Sequence, residues 1–143
     1  MFLLNFLWYL CFFGKCLSIK FNNIATLKTE KDHFEYIGST EKAFKTRFYN
    51  HTKSFTNEKY KNETKLSTCI WELKDNNITY DLEWDILKKC KPYVCGSRRC
   101  DICLQEKLFI MQYNRTNTCL LNTRSEIMNK CRHSNKFKIW NYK

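Results

Sequence analysis

Residues 34–51 read FEYIGSTEKAFKTRFYNH, a short extended segment that runs directly into a helix. Phe34-Glu35-Tyr36-Ile37-Gly38 carries aromatic and β-branched side chains suited to a strand. Ile24-Ala25-Thr26-Leu27 precedes it across a polar stretch, residues 28–33, as in a hairpin. Ser39-Thr40 can cap the following helix, and Glu41 falls in its first turn, where the helix dipole favours an acid. Phe44 and Phe48, one turn apart, are expected to face the core, with Arg47 and His51 on a separate stripe.

Further along, a polar connection (53–65) leads to Leu66, Ile70 and Leu73, which repeat with helical period beside Trp71. Ile78, Tyr80, Leu82, Trp84 and Ile86 then alternate with Thr79, Asp81, Glu83 and Asp85. This predicts a half-buried strand with one wet, acidic face. Residues 88–99 form a basic loop containing the single proline, Pro92. Residues 102–111 predict a helix with Leu104, Leu108 and Met111 on its apolar side. Leu120-Leu121 reads as a short buried segment, and residues 125–130 as a last helical turn or two. The pattern is α+β, without internal repeats.

The chain has 143 residues, 43% hydrophobic and 16% aromatic, enough for one core and too apolar for a disordered tail. Three Gly and one Pro exclude collagen-like and linker-like classes. A net charge of +11 favours a polyanionic partner, either nucleic acid or an anionic membrane surface. Residues 1–20 are set apart as an apolar extension from a domain spanning 21–143. Met1–Phe13 is nearly all apolar, shorter than the roughly 20 residues that span a bilayer. Its length suits a secretory signal, but no Lys or Arg precedes it and no small-residue cleavage site follows. Asn50, Asn62, Asn77 and Asn114 open N-x-Ser/Thr triplets, which an Asn/Ser/Thr-rich chain also produces by chance.

Nine cysteines form an odd set, and Cys90, Cys95, Cys100 and Cys103 crowd together. Cys100-x-x-Cys103 has the spacing of half a zinc site, and Cys131-x-His133 supplies a second half. Four such ligands leave no open position, so the Zn²⁺ would be structural. Reduced thiols or a disulfide are the alternatives, and Cys90, Cys95 or His51 could replace a ligand. Cys11, Cys16, Cys69 and Cys119 read as small buried hydrophobes.

Tyr36-Ile37-Gly38-Ser39-Thr40, Phe44-Lys45-x-Arg47 and His51 resemble the second half of the GIY-YIG nuclease signature and its following helix. Residues 70–74, 99–107, 120–126 and 130–137 extend the series in order. Together these blocks are similar to the GIY-YIG endonuclease domain of Penelope-like and related retroelements. The resemblance implies a small three-stranded antiparallel sheet flanked by helices. It implies Mg²⁺-dependent nicking of one DNA strand, in the family to prime reverse transcription, with a reverse transcriptase of the same element as a partner. The implied residues are Tyr36, Arg47, His51, Glu106 and Asn122, with Glu106 holding Mg²⁺, and Tyr36, Arg47 and Glu106 converging on one concave, positively charged surface. Asn22-Asn23 stands where the family has the Ile-Tyr of its first element, and the glycine is missing too.

The residue types suit such chemistry. A carboxylate with phosphate oxygens and waters can hold Mg²⁺, and an arginine presents a planar donor set matched to phosphate. Tyrosine and histidine can orient or deprotonate a water. Lys88, Lys89, Lys91, Arg98, Arg99 and Arg132 would contact the DNA backbone. No small-molecule substrate is expected, and the location would be nuclear or intracellular. Two other readings are a catalytically degenerate DNA-binding remnant of the same fold and a secreted disulfide protein.

Overall fold

The computed structural model describes residues 20–41, 44–94, 97–116 and 119–133. Three antiparallel strands, β1 (Lys20–Lys28), β2 (His33–Thr40) and β3 (Asp81–Cys90), form one sheet in the order β2-β1-β3. Between β2 and β3 lie α1 (Phe44–Thr56) and α2 (Lys65–Asp75). After β3 come α3 (Asp101–Thr116) and the short α4 (Arg124–Met128). This is the α+β class with helices on both sides of a three-stranded sheet. No helix among the described residues is long and apolar enough to cross a membrane.

Strand alternation sorts the core into two layers. Ala25 and Leu27 point to one face, where they pack with Phe55 of α1 and Leu66, Cys69, Ile70 and Leu73 of α2. Tyr36 of β2 and Leu82 and Trp84 of β3 border the same cluster. Ile24 and Ile37 point to the other face and meet Ile110 of α3. Helix α2 starts on a capping box: the Thr64 hydroxyl accepts from Ser67 N, and the Ser67 hydroxyl accepts from Thr64 N.

Several elements differ from the sequence reading. β1 is longer than the Ile24–Leu27 segment. β3 begins at Asp81, after Asn77, whose φ of 54° marks a left-handed turn. A register shift between Asn22 and Asn23 breaks the alternation in β3, so Leu87 joins the second layer while Ile86 stays opposite Asn23. Ser39 and Thr40 are buried in β2 rather than capping a helix.

Helix α1 turns Arg47, His51 and Phe55 toward the sheet and leaves Phe48 exposed. The side chain of Phe44 lies outside the described residues. In α3, Ile102, Cys103 and Ile110 face inward, whereas Leu104, Leu108 and Met111 are exposed. Both helices carry apolar residues on two stripes, and packing against the sheet selects one of them. Cys69 is buried as expected, Cys119 only in part, and Cys11 and Cys16 lie outside the described residues.

The outer edge of β2 is closed by the segment after α3. Glu35 N donates to Cys119 O (3.1 Å), Leu121 N donates to Glu35 O (2.8 Å), and Leu120 bridges Glu35 in parallel. One residue on, a side chain continues the ladder. Ile37 N donates to Asn122 Oδ1 (2.7 Å) and Asn122 Nδ2 donates to Ile37 O (2.9 Å). Ile37 is fully buried, so removing this partner orphans its backbone groups. Asn122→Ala should therefore destabilise the protein by about 1–3 kcal/mol. Urea denaturation monitored by circular dichroism checks this, and an unchanged midpoint would contradict the clamp.

Candidate functional site

The register that pairs Asn23 with Gly38 and Asn22 with Ser39 builds the candidate site at one end of the sheet. Gly38 and Ser39 are neighbours in sequence, so they face opposite sides of β2. On the Gly38 side lies Arg47 of α1. A Cβ on Gly38 would stand 2.5 Å from Arg47 Nη2, so the glycine is what lets the guanidinium lie against the strand. On the Ser39 side, the Ser39 hydroxyl donates to Glu106 Oε2 of α3 (2.9 Å). Arg132 Nη2 reaches both Glu106 Oε2 (3.1 Å) and Ser39 Oγ (2.5 Å).

Arg47 and Glu106 thus come from helices on opposite faces, rather than from one face of the sheet. β2 is an edge strand, and the two side chains influence one another around it. Burial lowers the pKa of Arg47, with Arg132 acting the same way and the Glu106 carboxylate opposing. Arg47 Nε is buried with no hydrogen-bond partner, as are Oδ1 and Nδ2 of the fully buried Asn23. Buried polar atoms in native proteins nearly always have partners; here the two nitrogens can donate to a water or a ligand oxygen, and Asn23 Oδ1 can accept from a water.

The two remaining candidates on the α1 side have their protonation set by burial. Burial, with a smaller contribution from Glu126, pushes the Tyr36 hydroxyl up to about 12. It therefore stays protonated at neutral pH and has a proton to donate. His51 lies tilted between Trp84 (centroids 5.1 Å apart) and Phe55 (5.9 Å), and burial together with Arg47 lowers it to about 4. Its imidazole is neutral at pH 7. Asn122, by contrast, commits its amide to the Ile37 backbone and so acts on the shape of β2.

A second constellation adjoins the first. The donor atoms of Cys100, Cys103, Cys131 and His133 all lie within 4.8 Å of one another. His133 Nδ1 is 3.2 Å from Cys100 Sγ and 3.3 Å from Cys103 Sγ, and Cys131 Sγ is 3.7 Å from Cys103 Sγ. A tetrahedron with bonds of ~2.3 Å to sulfur and ~2.05 Å to nitrogen has edges of about 3.8 Å and about 3.6 Å. The cluster fits a metal ion.

Burial raises the Cys100 and Cys103 thiols, Cys103 to about 12. A metal ion would have to displace those protons, and three thiolates with one imidazole are the donor set that suits Zn²⁺. Glu41, just beyond β2, pairs with His133 Nε2 and so directs Nδ1 at the sulfurs. The Tyr93 ring stacks on His133 at 5.9 Å. Of the other cysteines considered, Cys90 Sγ bonds Asn22 Oδ1 at 2.9 Å and Cys95 lies outside the described residues. His51 stands apart, against Trp84 and Phe55.

Sequence reasoning missed Glu41 as the histidine's partner, and the Ser39–Arg132 pair around Glu106. Both depend on contacts between segments distant in the chain, and only the burial of two small polar residues after Gly38 could have hinted at them.

The basic residues gather at this end of the sheet. Lys88 pairs with Asn22, which on its other side pairs with Ser39, and Lys89 follows. Arg98 and Arg99 lead into Cys100, and Lys91 follows β3. The opposite end carries Asp81, Glu83 and Asp85, with Glu83 held by Lys28 at 2.6 Å. Hollows lined by Met111, Ile127 and Met128, and by Phe34, Thr68 and Leu121, contain none of the candidate residues. Comparison with protein-family models, curated proteins and solved structures finds no match.

His51 gives a pH test. Below its ordinary pKa of 6.5, the unfolded chain takes up a proton that the folded one refuses until about pH 4. Its contribution is fully present above pH 6.5 and is lost as the pH falls toward 4, on the order of 3 kcal/mol. Denaturation midpoints between pH 7 and 4.5 should fall less in His51→Phe than in the wild type. Equal slopes in the two proteins would refute the buried neutral histidine.

Proposed function

We propose that the chain is a DNA endonuclease domain that nicks one strand of a duplex with the help of Mg²⁺. The observation that carries this reading is Arg47, whose buried Nε has no hydrogen-bond partner and whose guanidinium lies near enough to Glu106 for that charge to act on it. An arginine with open donors, a protonated tyrosine and a carboxylate make a set that a phosphodiester completes. Arg47 offers its donors to non-bridging oxygens. Tyr36 orients a water or a phosphate oxygen through its hydroxyl. Glu106 is the residue that would hold Mg²⁺, alongside phosphate oxygens and waters. When bound, such an ion supplies Lewis-acid polarisation and a more acidic water. The basic end of the sheet attracts the duplex, and its acidic far end orients it. The resemblance to retroelement GIY-YIG domains points the same way and brings a reverse transcriptase as the partner.

Within this reading the Cys3His cluster holds one structural Zn²⁺. Asn23, at the position of the family's first tyrosine, favours a second reading in which the domain binds DNA without cutting it. Neutral His51, away from the phosphate-facing donors, serves the scaffold in either case.

Plasmid nicking tests the proposal. Glu106→Gln, or withholding Mg²⁺ from the zinc-loaded chain, should abolish conversion of supercoiled to open-circular DNA while leaving DNA binding intact, and EDTA should abolish it as well. Arg47→Ala should slow it by roughly 10²–10³-fold. Nicking that survives both EDTA and Glu106→Gln would refute the mechanism, and tight binding with no nicking under any condition would favour the second reading. Metal analysis should find one zinc per chain, lost in Cys103→Ser together with cooperative unfolding. A wild-type chain purified without zinc and equally stable would remove the structural metal.

A further inference from the structure

Arg132 stands between Cys131 and His133, two of the four donors of the Cys3His cluster, and its side chain, which also feels Cys103, reaches into the other site. Its Nη2 donates to Glu106 Oε2 at 3.1 Å and to Ser39 Oγ at 2.5 Å, and Ser39 donates to the same Oε2. One carboxylate oxygen thus carries two donors, one of them a full cation. A divalent ion arriving at Glu106 meets a like charge and an occupied lone pair. The backbone that carries this charge cannot withdraw while both neighbouring residues ligate a metal. Two further contacts tie the same segment down: Glu41 holds His133, and Lys107 of α3 donates to Asn129 O at 2.5 Å.

We infer that Arg132 is a positioning residue that couples the two constellations: the loaded cluster holds its guanidinium on Glu106, and a divalent cation must displace it to bind there. The inference rests on the reading of Glu106 as the divalent-cation ligand. Its consequence is an order of events. Without nucleic acid, the carboxylate is satisfied by Arg132 and binds a cation weakly. When a phosphate enters beside Arg47, it offers the displaced guanidinium a new anionic partner, so the cation and the phosphate favour one another's binding. Linkage makes the coupling reciprocal, so a cation at Glu106 loosens the segment that supplies Cys131 and His133.

The test uses the full, zinc-loaded chain without nucleic acid, with Mn²⁺ as the probe and bound Mn²⁺ counted by electron paramagnetic resonance. Arg132→Ala should bind Mn²⁺ on the order of fivefold more tightly than the wild type, with one zinc per chain retained. Arg132→Lys, which keeps the charge, should stay near the wild type. Glu106→Gln should bind none. In the wild type, Mg²⁺ should also speed the release of zinc to a chelator blind to magnesium, and in Arg132→Ala it should not. Mn²⁺ affinity in Arg132→Ala equal to or weaker than that of the wild type would overturn the inference, and so would zinc release indifferent to Mg²⁺. Nicking is read separately. A chain that shows the Mn²⁺ difference but never nicks loses the nuclease reading and keeps the coupling. One that nicks without the Mn²⁺ difference loses the coupling alone.

Discussion

Side chains of adjacent residues on a strand point to opposite faces, and β2 uses both faces of its last turn of pleat for a single site. Tyr36 and Gly38 look toward α1, Ile37 and Ser39 toward α3. A slip of one residue against β1 would exchange the two sets. Arg47 would then meet a serine side chain, and Glu106 would lose its hydroxyl donor. The register is held by apolar burial on both sides, through Ala25 and Leu27 on one face and Ile24 with Ile37 on the other. Because β2 lies at the edge of the sheet, groups from the two faces can act on one another around it. A central strand would have kept them apart.

The segment after α3 carries as much of the site as the sheet does. Residues 119–122 close the exposed edge of β2 by supplying the partners that a further strand would otherwise provide. Ten residues later the chain returns to the same strand, with Arg132 on Ser39 and Glu106 and with His133 on Glu41. The ion pair of Arg132 with Glu106 is half exposed on the arginine side and contributes little by itself. Its placement comes from the cluster that flanks it. Nearly all the local organisation of the candidate site is therefore non-local in sequence.

Burial shapes the chemistry more than proximity does. The Tyr36 hydroxyl is held protonated and the His51 imidazole neutral, so neither brings a charge to the site. Charge is left to Arg47 and Arg132 and to the carboxylates around them, Glu106, Glu126 and Glu41. Among the described residues, Arg47 Nε and the side-chain amide of Asn23 are the polar atoms of this end of the sheet that are buried without a hydrogen-bond partner. The rest of the sheet is charged asymmetrically, with acids where β3 begins and lysines where it ends.

The alternation around Leu82 and Trp84, the helical spacing of Leu66, Ile70 and Leu73, and the spacing of Cys100 with Cys103 and of Cys131 with His133 were legible in the chain because each is a local pattern with a single good solution. The α+β class follows from them. Helices α1 and α3 were different: each carries two apolar stripes, and sequence alone favoured Phe48 and Leu104, Leu108 and Met111. The sheet instead buries Phe55 beside His51 and Arg47 on α1, and Ile102 and Ile110 on α3. Ser39 and Thr40 read as a helix cap because Ser and Thr make good caps, but pairing with Asn22 and Phe21 holds them in the strand. The sequence also could not give Glu41 to His133, or Arg132 to Glu106. Those contacts join residues far apart in the chain, Arg132 to Glu106 across 26 positions, and only the folding of the last segment onto the end of β2 brings them within hydrogen-bonding reach.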